Sequence, residues 1–193
     1  PVRILFRNLL PTGSGGDLFI PTDVTVMGAG MGPSMWGMPE TNPQEPTCGL
    51  DPKPAGCYTE NRAVLHLHGG RTPWISDGTP HQWIAPFGER PQLTDNGSAQ
   101  ENKGESVAYV PDMWYDATGN TIQSCAGQTT CAVAGATNAP GKGAQTYYYT
   151  NQQSARLLFY HDHAWGITRL NVYAGEAAGY LITDDIEQML LAQ

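Results

Sequence analysis

Residues 63–70 read AVLHLHGG and residues 157–166 read LLFYHDHAWG, so four of the five histidines of the chain stand in two His-X-His pairs. Residues i and i+2 of a strand point to the same face, and each pair therefore presents two imidazoles side by side. Two such strands brought together predict a cluster of four imidazoles. Imidazole is a ligand that copper, zinc and iron all accept. The candidate metal ligands are His66, His68, His161 and His163.

The alternative to a metal site is a set of structural histidines, because a single buried histidine is usually a hydrogen-bonded core residue. The pairing, with an apolar strand before each pair, favours the metal site. His81, in TPHQW, has no partner at ligand spacing and is interpreted as a structural or surface residue. The Met-rich stretch MGAGMGPSMWGM (27–38) offers thioethers to a soft metal, but a flexible loop that packs its methionines is the favoured interpretation.

The composition predicts an all-β protein with long loops. Among 193 residues there are 23 Gly and 15 Pro with few charges, a profile typical of many turns. No apolar run approaches the ~18 residues of a membrane span. The net charge of −8 argues against nucleic acid as a partner and weakly favours cationic partners or metal ions. Strand patterns cover residues 1–10, 62–68, 146–150, 155–161 and 177–183.

The order of these patterns predicts one domain over residues 1–185. A strand pattern begins at the first residue, so we expect upstream sequence, including a first strand and a signal peptide, to be missing. Residues 88–145 have the composition of an insertion, rich in Gly, Asn, Thr, Ala and Ser. Carboxylates open DDIEQMLLAQ and predict a short C-terminal helix, with residues 186–193 as the start of a linker to a following domain.

The four cysteines bracket two short loops. Cys48 and Cys57 enclose a Gly/Pro loop, and Cys125 and Cys131 enclose another. Four cysteines allow three connectivities, of which local pairing is the simplest. Two local disulfides would indicate an oxidising compartment, so we expect a secreted, periplasmic or cell-surface protein. Four free thiols in a cytosolic protein are the alternative.

Two stretches together resemble one family. HLHGGRTPWISDGTPHQW (66–83) and FYHDHAWGITRLNVYAGEAAGYLITDD (159–185) resemble the N-terminal cupredoxin domain of the multicopper oxidases, and are most similar to the group of spore-coat laccase, bilirubin oxidase and phenoxazinone synthase. VRILFRNLLP (2–11) resembles an early strand of that domain. The resemblance implies a cupredoxin-like Greek-key β-sandwich. Residues 88–145 and much of 17–60 match nothing in the family pattern.

The resemblance also implies roles for single residues. His66 matches the ligand of the type 2 copper, and the other three histidines of the pairs match ligands of the type 3 copper pair. Asp77, in the sequence SDG, matches an acidic residue near the type 2 copper that assists proton delivery. Asp162 lies between two ligands, should point away from them and is interpreted as structural.

The implied function is one part of an oxidase. The family couples one-electron oxidation of a phenolic, bilirubin-like or metal-ion substrate to four-electron reduction of O2 to water. This chain would supply half of the trinuclear copper site. It contains no His-Cys-His run, the signature of the blue type 1 copper. The type 1 copper and four further ligands are expected on a missing C-terminal cupredoxin domain or a companion chain. The alternatives are a copper-binding domain without turnover and a metal-free scaffold.

Overall fold

The structure is a computed structural model that describes residues 1–26, 28–30, 46–50, 57–89, 92–93, 99–100, 103–110, 114–116, 118, 120–125, 128, 131–134, 136–138 and 143–193. The strands are β1 (Val2–Arg7), β2 (Leu65–His68), β3 (Gln92–Leu93), β4 (Ala99–Gln100), β5 (Trp114–Tyr115), β6 (Thr137–Asn138), β7 (Ala144–Tyr149), β8 (Arg156–Asp162) and β9 (Ala177–Ile182). The described helices are α1 (Thr168–Ala174) and α2 (Asp185–Leu191). The prediction of an all-β fold with a short C-terminal helix is confirmed.

Two antiparallel sheets enclose the core. One pairs β1 with β7, and the other has the strand order β2-β8-β9. Tyr147 and Tyr149 of β7 pack in one buried cluster with Val64 and Leu67, and Tyr160 of β8 packs against that cluster. Apolar side chains from two facing sheets form this core, an arrangement consistent with a cupredoxin-like fold.

The strand that carries the first histidine pair is shorter than the predicted span 62–68. Ala63 forms only an isolated bridge with Ile84, and the ladder with β8 begins at Leu65. The reason lies at Val64, whose N–H donates to the carboxylate of Asp162 over 2.8 Å. A side chain therefore takes the place of a strand partner at the point where β2 begins.

The first strand also ends earlier than predicted, at Arg7 and not at residue 10. The buried side chain of Asn8 donates to the carbonyl oxygens of Asn61 and Ile84, over 2.7 and 2.9 Å. These bonds tie the end of β1 to the segments before and after β2.

Helix α1 was not predicted. Its sequence TRLNVYA contains β-branched and aromatic residues of modest helix propensity, and Ile167 at its N-terminus provides no side-chain cap. Asn171 is its buried residue and donates to Asp162 and to the carbonyl oxygen of Arg62. Gly175 ends the helix with φ of 111°, a conformation that favours glycine. Tertiary bonds, not local propensity, stabilise this helix.

The region 88–145, predicted to be an inserted loop, contains regular structure in its described parts. β3 pairs with β4, and β5 pairs with β6. Val107, Val110 and Trp114 are buried. Gly104 donates its N–H to the carbonyl oxygen of Trp83 over 2.8 Å, which fastens the region to the segment after β2.

Both local disulfides are present, Cys48–Cys57 and Cys125–Cys131, as predicted. They include every cysteine of the sequence.

In α2, Asp184 caps the first turn by accepting the N–H of Glu187 over 2.8 Å. None of the described helices is long and apolar enough to cross a membrane.

We predict that Asp162→Ala lowers the free energy of unfolding by about 3 kcal/mol or more, because it leaves three buried N–H groups without an acceptor. Urea unfolding of the metal-free chain measures the change. Asp185→Asn, on the exposed first turn of α2, is the control and should change stability by less than about 1 kcal/mol. Equal unfolding midpoints for Asp162→Ala and the unsubstituted chain would contradict the prediction.

Candidate metal centre

The register between β2 and β8 brings the two histidine pairs together. His66 lies directly opposite His161, and His68 lies opposite Phe159. Just beyond the ladder, His163 donates its backbone N–H to the carbonyl oxygen of Val64 over 3.2 Å. Directly opposed residues of antiparallel strands share a face, so the four imidazoles gather on one side of the sheet.

The imidazoles form one compact group. The ring centroids of His66 and His163 lie 4.5 Å apart and are stacked. Those of His66 and His161, and of His68 and His161, lie 5.4 Å apart. One ring nitrogen from each of His66, His68 and His161 falls within 4.8 Å of the others. Three of the predicted ligands can therefore face one ion, and the fourth stacks on the first of them.

Accessibility differs within the group. His161 is buried, His66 and His163 are partly buried, and His68 is exposed. The ring of His68 stacks on Phe159 at 4.6 Å. The histidine group is thus anchored in the sheet at one side and open at the other.

Backbone carbonyl groups fix the orientation of three imidazoles. Nδ1 of His66 donates to the carbonyl oxygen of Asp77, and Nδ1 of His161 donates to that of Asp162. Nδ1 of His163 donates to the carbonyl oxygen of Gly78 over 3.1 Å. A carbonyl oxygen only accepts, so each Nδ1 carries the proton in the neutral ring. Each Nε2 is then unprotonated, the form that binds a metal.

The turn after β2 supplies two of these carbonyl groups in succession. Asp77 orients a histidine of β2, and Gly78 orients a histidine that follows β8. Gly78 has φ of 67°, and a Cβ atom there would lie 2.0 Å from the carbonyl oxygen of Leu65. Only glycine allows this turn to approach β2 so closely. The sequence SDG gave no signal that its backbone would orient both histidine pairs.

The side chain of Asp77 lies beside the first histidine. Its Oδ1 atom is 4.0 Å from Nδ1 of His66 and accepts a hydrogen bond from the Thr72 hydroxyl over 2.8 Å. About a third of the side chain is exposed (34%), so the carboxyl group contacts both solvent and His66. It lies on the side of the ring opposite the free Nε2.

Asp162 points away from the imidazoles, as predicted, and joins three segments in the core. Its Oδ1 atom accepts the N–H of Val64, and its Oδ2 atom accepts the N–H of Ala164 and the Asn171 amide over 2.9 Å each. Burial raises the pKa of this carboxyl group, while the three donors and the charge of Arg62 oppose the shift.

Arg62 is a buried cation that the sequence did not reveal as important. Its guanidinium group lies 4.4 Å from the ring centre of Tyr58 and 5.0 Å from that of Trp83. It donates to the carbonyl oxygens of Trp165 and Gly28, over 2.8 Å each. Arg62 therefore holds the loop that follows the second histidine pair.

His81 remains outside the imidazole group, as the sequence indicated. It lies in the short helical turn Pro80–Gln82, and its ring is 4.9 Å from that of Trp165. The Met-rich stretch 27–38 lies largely outside the described residues, and its methionines are not described.

The donor set fits a first-row metal ion. Nδ1 of His68 and Nε2 of His161 are 3.3 Å apart. Two nitrogen donors about 2.0 Å from one tetrahedral ion would lie about 3.3 Å from each other. All the converging donors are imidazole nitrogens, which copper, zinc and iron accept.

Known proteins similar to this chain include a laccase, a bilirubin oxidase and a multicopper oxidase. A laccase of Bacillus stratosphericus is 34% identical over 131 residues, 68% of this chain and 16% of the laccase. A bilirubin oxidase of Albifimbria verrucaria is 57% identical over 44 residues, 23% of this chain and 8% of that protein. A multicopper oxidase of Oryza sativa subsp. japonica is 32% identical over 120 residues, 62% of this chain and 12% of that protein.

These similarities define the class of protein. The chain is related to the multicopper oxidases, at modest identity over part of its length. The regions matched in the laccase and in the rice protein are each less than a fifth of that relative's length. No protein-family model matches the chain.

We predict that His163 stays neutral to a lower pH than an ordinary histidine. Burial lowers its pKa from 6.5, and the charge of His66 adds to this effect. The carbonyl group of Gly78 and the carboxylates of Asp162 and Asp77 oppose it. A pH titration of the ring proton of His163 by NMR, on the metal-free chain, should give a midpoint below 6.5.

The sign of the pH effect on stability follows from this direction. Below pH 6.5 the unfolded chain binds a proton at this residue more readily than the folded chain does. The contribution of His163 is therefore complete above that pH and is lost as the pH falls through the lowered pKa. A midpoint at or above 6.5 would contradict the prediction.

Proposed function

We propose that this chain is the N-terminal cupredoxin domain of a multicopper oxidase and provides half of a trinuclear copper site. His66 would hold the type 2 copper, and His68, His161 and His163 would hold the type 3 pair. The observation that carries the proposal is the single group of four imidazoles, three of them oriented by backbone carbonyl oxygens. Bound copper would supply the electron-transfer chemistry needed to reduce O2 to water.

The residues of this chain would hold the metals and move protons. Fixed Nδ1 protons keep each free Nε2 directed into the group, so metal binding needs little reordering of the side chains. The carboxyl group of Asp77 lies between solvent and the ring of His66, where it would pass protons towards the site. The buried position of Asp162 leaves it with a structural role.

Electrons would enter from outside this chain. A blue type 1 copper needs a cysteine thiolate, and all four cysteines are held in disulfides. The type 1 copper would therefore lie on a C-terminal cupredoxin domain or a companion chain, which would also contact the reducing substrate. A phenolic compound, a bilirubin-like molecule or a metal ion is the proposed class of substrate.

A row of exposed apolar side chains beside the imidazoles offers a surface on which this partner could pack. Leu157 and Phe159 of β8 share the face of the imidazoles, and Leu181 of β9 lies opposite Leu157. These side chains are 74%, 45% and 67% exposed. Contiguous exposed apolar side chains mark interaction surfaces. We propose that the partner domain packs on this row and completes the copper ligands.

The disulfides support an oxidising location outside the cytosol.

Copper binding is the first test. Each of His66→Ala, His68→Ala, His161→Ala and His163→Ala should weaken copper binding by about tenfold or more, because each removes an imidazole donor. Competition with a chromophoric chelator measures the affinity. His81→Ala is the matched control and should leave the affinity unchanged. Unchanged affinity in all four substituted chains would contradict the proposed ligand set.

The copper-loaded 193-residue chain should be neither blue nor active by itself. Without a thiolate ligand it has no source of a strong charge-transfer band, and half of the ligand set binds copper more weakly than a complete site. Visible spectroscopy and oxygen uptake with a phenolic or Mn(II) donor measure both properties. A strong blue band, or sustained oxygen uptake, would overturn the proposal that another domain completes the site.

Asp77→Asn in the complete oxidase should slow oxygen reduction, on the order of 100-fold, while copper content stays nearly full. The amide cannot accept and release protons, but it keeps both the backbone carbonyl that orients His66 and an oxygen for the Thr72 hydroxyl. Steady-state oxygen uptake and copper analysis measure the two effects. Asp185→Asn serves as the control. An unchanged rate would remove the proton-delivery role.

A further inference from the structure

A second candidate site lies in a cleft at the start of β8. The cleft has a volume of about 460 Å³ and is lined by Arg71, Asn151, Gln152, Gln153, Ser154 and Arg156. None of these residues carries a negative charge. The chain as a whole is acidic, with 10 Lys and Arg residues against 18 Asp and Glu. The lining of this cleft is positively charged instead, because it contains two arginines and no acidic residue.

The wall that carries Arg71 is fixed by hydrogen bonds. Its backbone N–H donates to the side-chain oxygen of Gln153 over 2.8 Å, and its carbonyl oxygen accepts the Thr150 hydroxyl over 2.9 Å. Gln153 in turn donates to the carbonyl oxygen of Gly69 over 2.9 Å. The guanidinium group of Arg71 has no hydrogen-bond or ion-pair partner among the described residues. Its backbone is positioned, and its charge is left uncompensated there.

Arg156 also lines the cleft, and Ser154 fixes its guanidinium group. Nε of Arg156 donates to the carbonyl oxygen of Ser154 over 3.0 Å, and one terminal nitrogen donates to the Ser154 hydroxyl. The side-chain oxygen of Asn151 accepts the Tyr180 hydroxyl over 2.9 Å. This bond fixes the Asn151 amide and leaves its nitrogen as a donor among the described residues.

We propose that this cleft binds a dianionic oxyanion of the phosphate class. Arg71 and Arg156 add two positive charges to one cleft, and a bound anion would offset the repulsion between those charges. Guanidinium forks match the oxygen spacing of phosphate, and two positive charges match a dianion better than a single carboxylate. The ligand is either free inorganic phosphate or the phosphate ester of a larger molecule.

Calorimetry with inorganic phosphate on the metal-free 193-residue chain tests the site. The metal-free chain is used because phosphate also binds metal ions, so the result does not depend on the copper proposal. The pH is set about two units above a second pKa of about 6, where phosphate is a dianion. We expect saturable binding of one phosphate, with acetate binding more weakly. Glycerol phosphate in a parallel titration distinguishes an ester ligand from free phosphate by which of the two binds more tightly.

Substitutions of the two arginines test whether phosphate binds in this cleft. Arg71→Gln and Arg156→Gln should each weaken phosphate binding by about tenfold. Arg169→Gln, on the exposed side of α1, is the control and should leave the affinity unchanged. In the unsubstituted chain, phosphate should also shift the side-chain amide NMR signals of Asn151 and Gln153. No saturation up to about 10 mM phosphate, acetate binding as tight as phosphate, or unshifted amide signals would each overturn the proposal.

Discussion

The carboxylate of Asp162 is the constraint on which the histidine group depends. It accepts hydrogen bonds from Val64, Ala164 and Asn171, which belong to the segment just before β2, the loop after β8 and helix α1. These segments cannot shift independently while the bonds hold. Because Asp162 stands between His161 and His163, the same residue that closes the core also sets where both imidazoles emerge.

Strand alternation was enough to predict which histidines share a face, because i and i+2 geometry depends only on local backbone conformation. It could not predict that His66 lies opposite His161, since that register rests on long-range pairing of β2 with β8. Helix α1 escaped prediction for the same reason. Its sequence has weak local preference, and Asn171 stabilises it through bonds to distant residues. The roles of single residues came from the resemblance to a family and not from strand alternation.

The sheet that carries the histidines has two unlike faces. One face packs Leu158 and Tyr160 against the core. The other presents imidazoles next to exposed Leu157 and Phe159. A row of apolar side chains beside a polar metal-binding group is unfavourable in water unless a second surface covers it. The proposed partner domain would cover both the apolar row and the open side of the histidine group.

The turn at Asp77 and Gly78 orients its two imidazoles with main-chain oxygen atoms. Side-chain substitution cannot delete a main-chain oxygen, so the orienting function is separate from the identity of most residues in the loop. Sequence drift at positions such as Trp74 or Ile75 can proceed without turning the imidazoles, provided that the loop length and Gly78 are kept. The side chains of this loop can therefore change, by evolution or by engineering, while the main-chain oxygens that orient His66 and His163 stay in place.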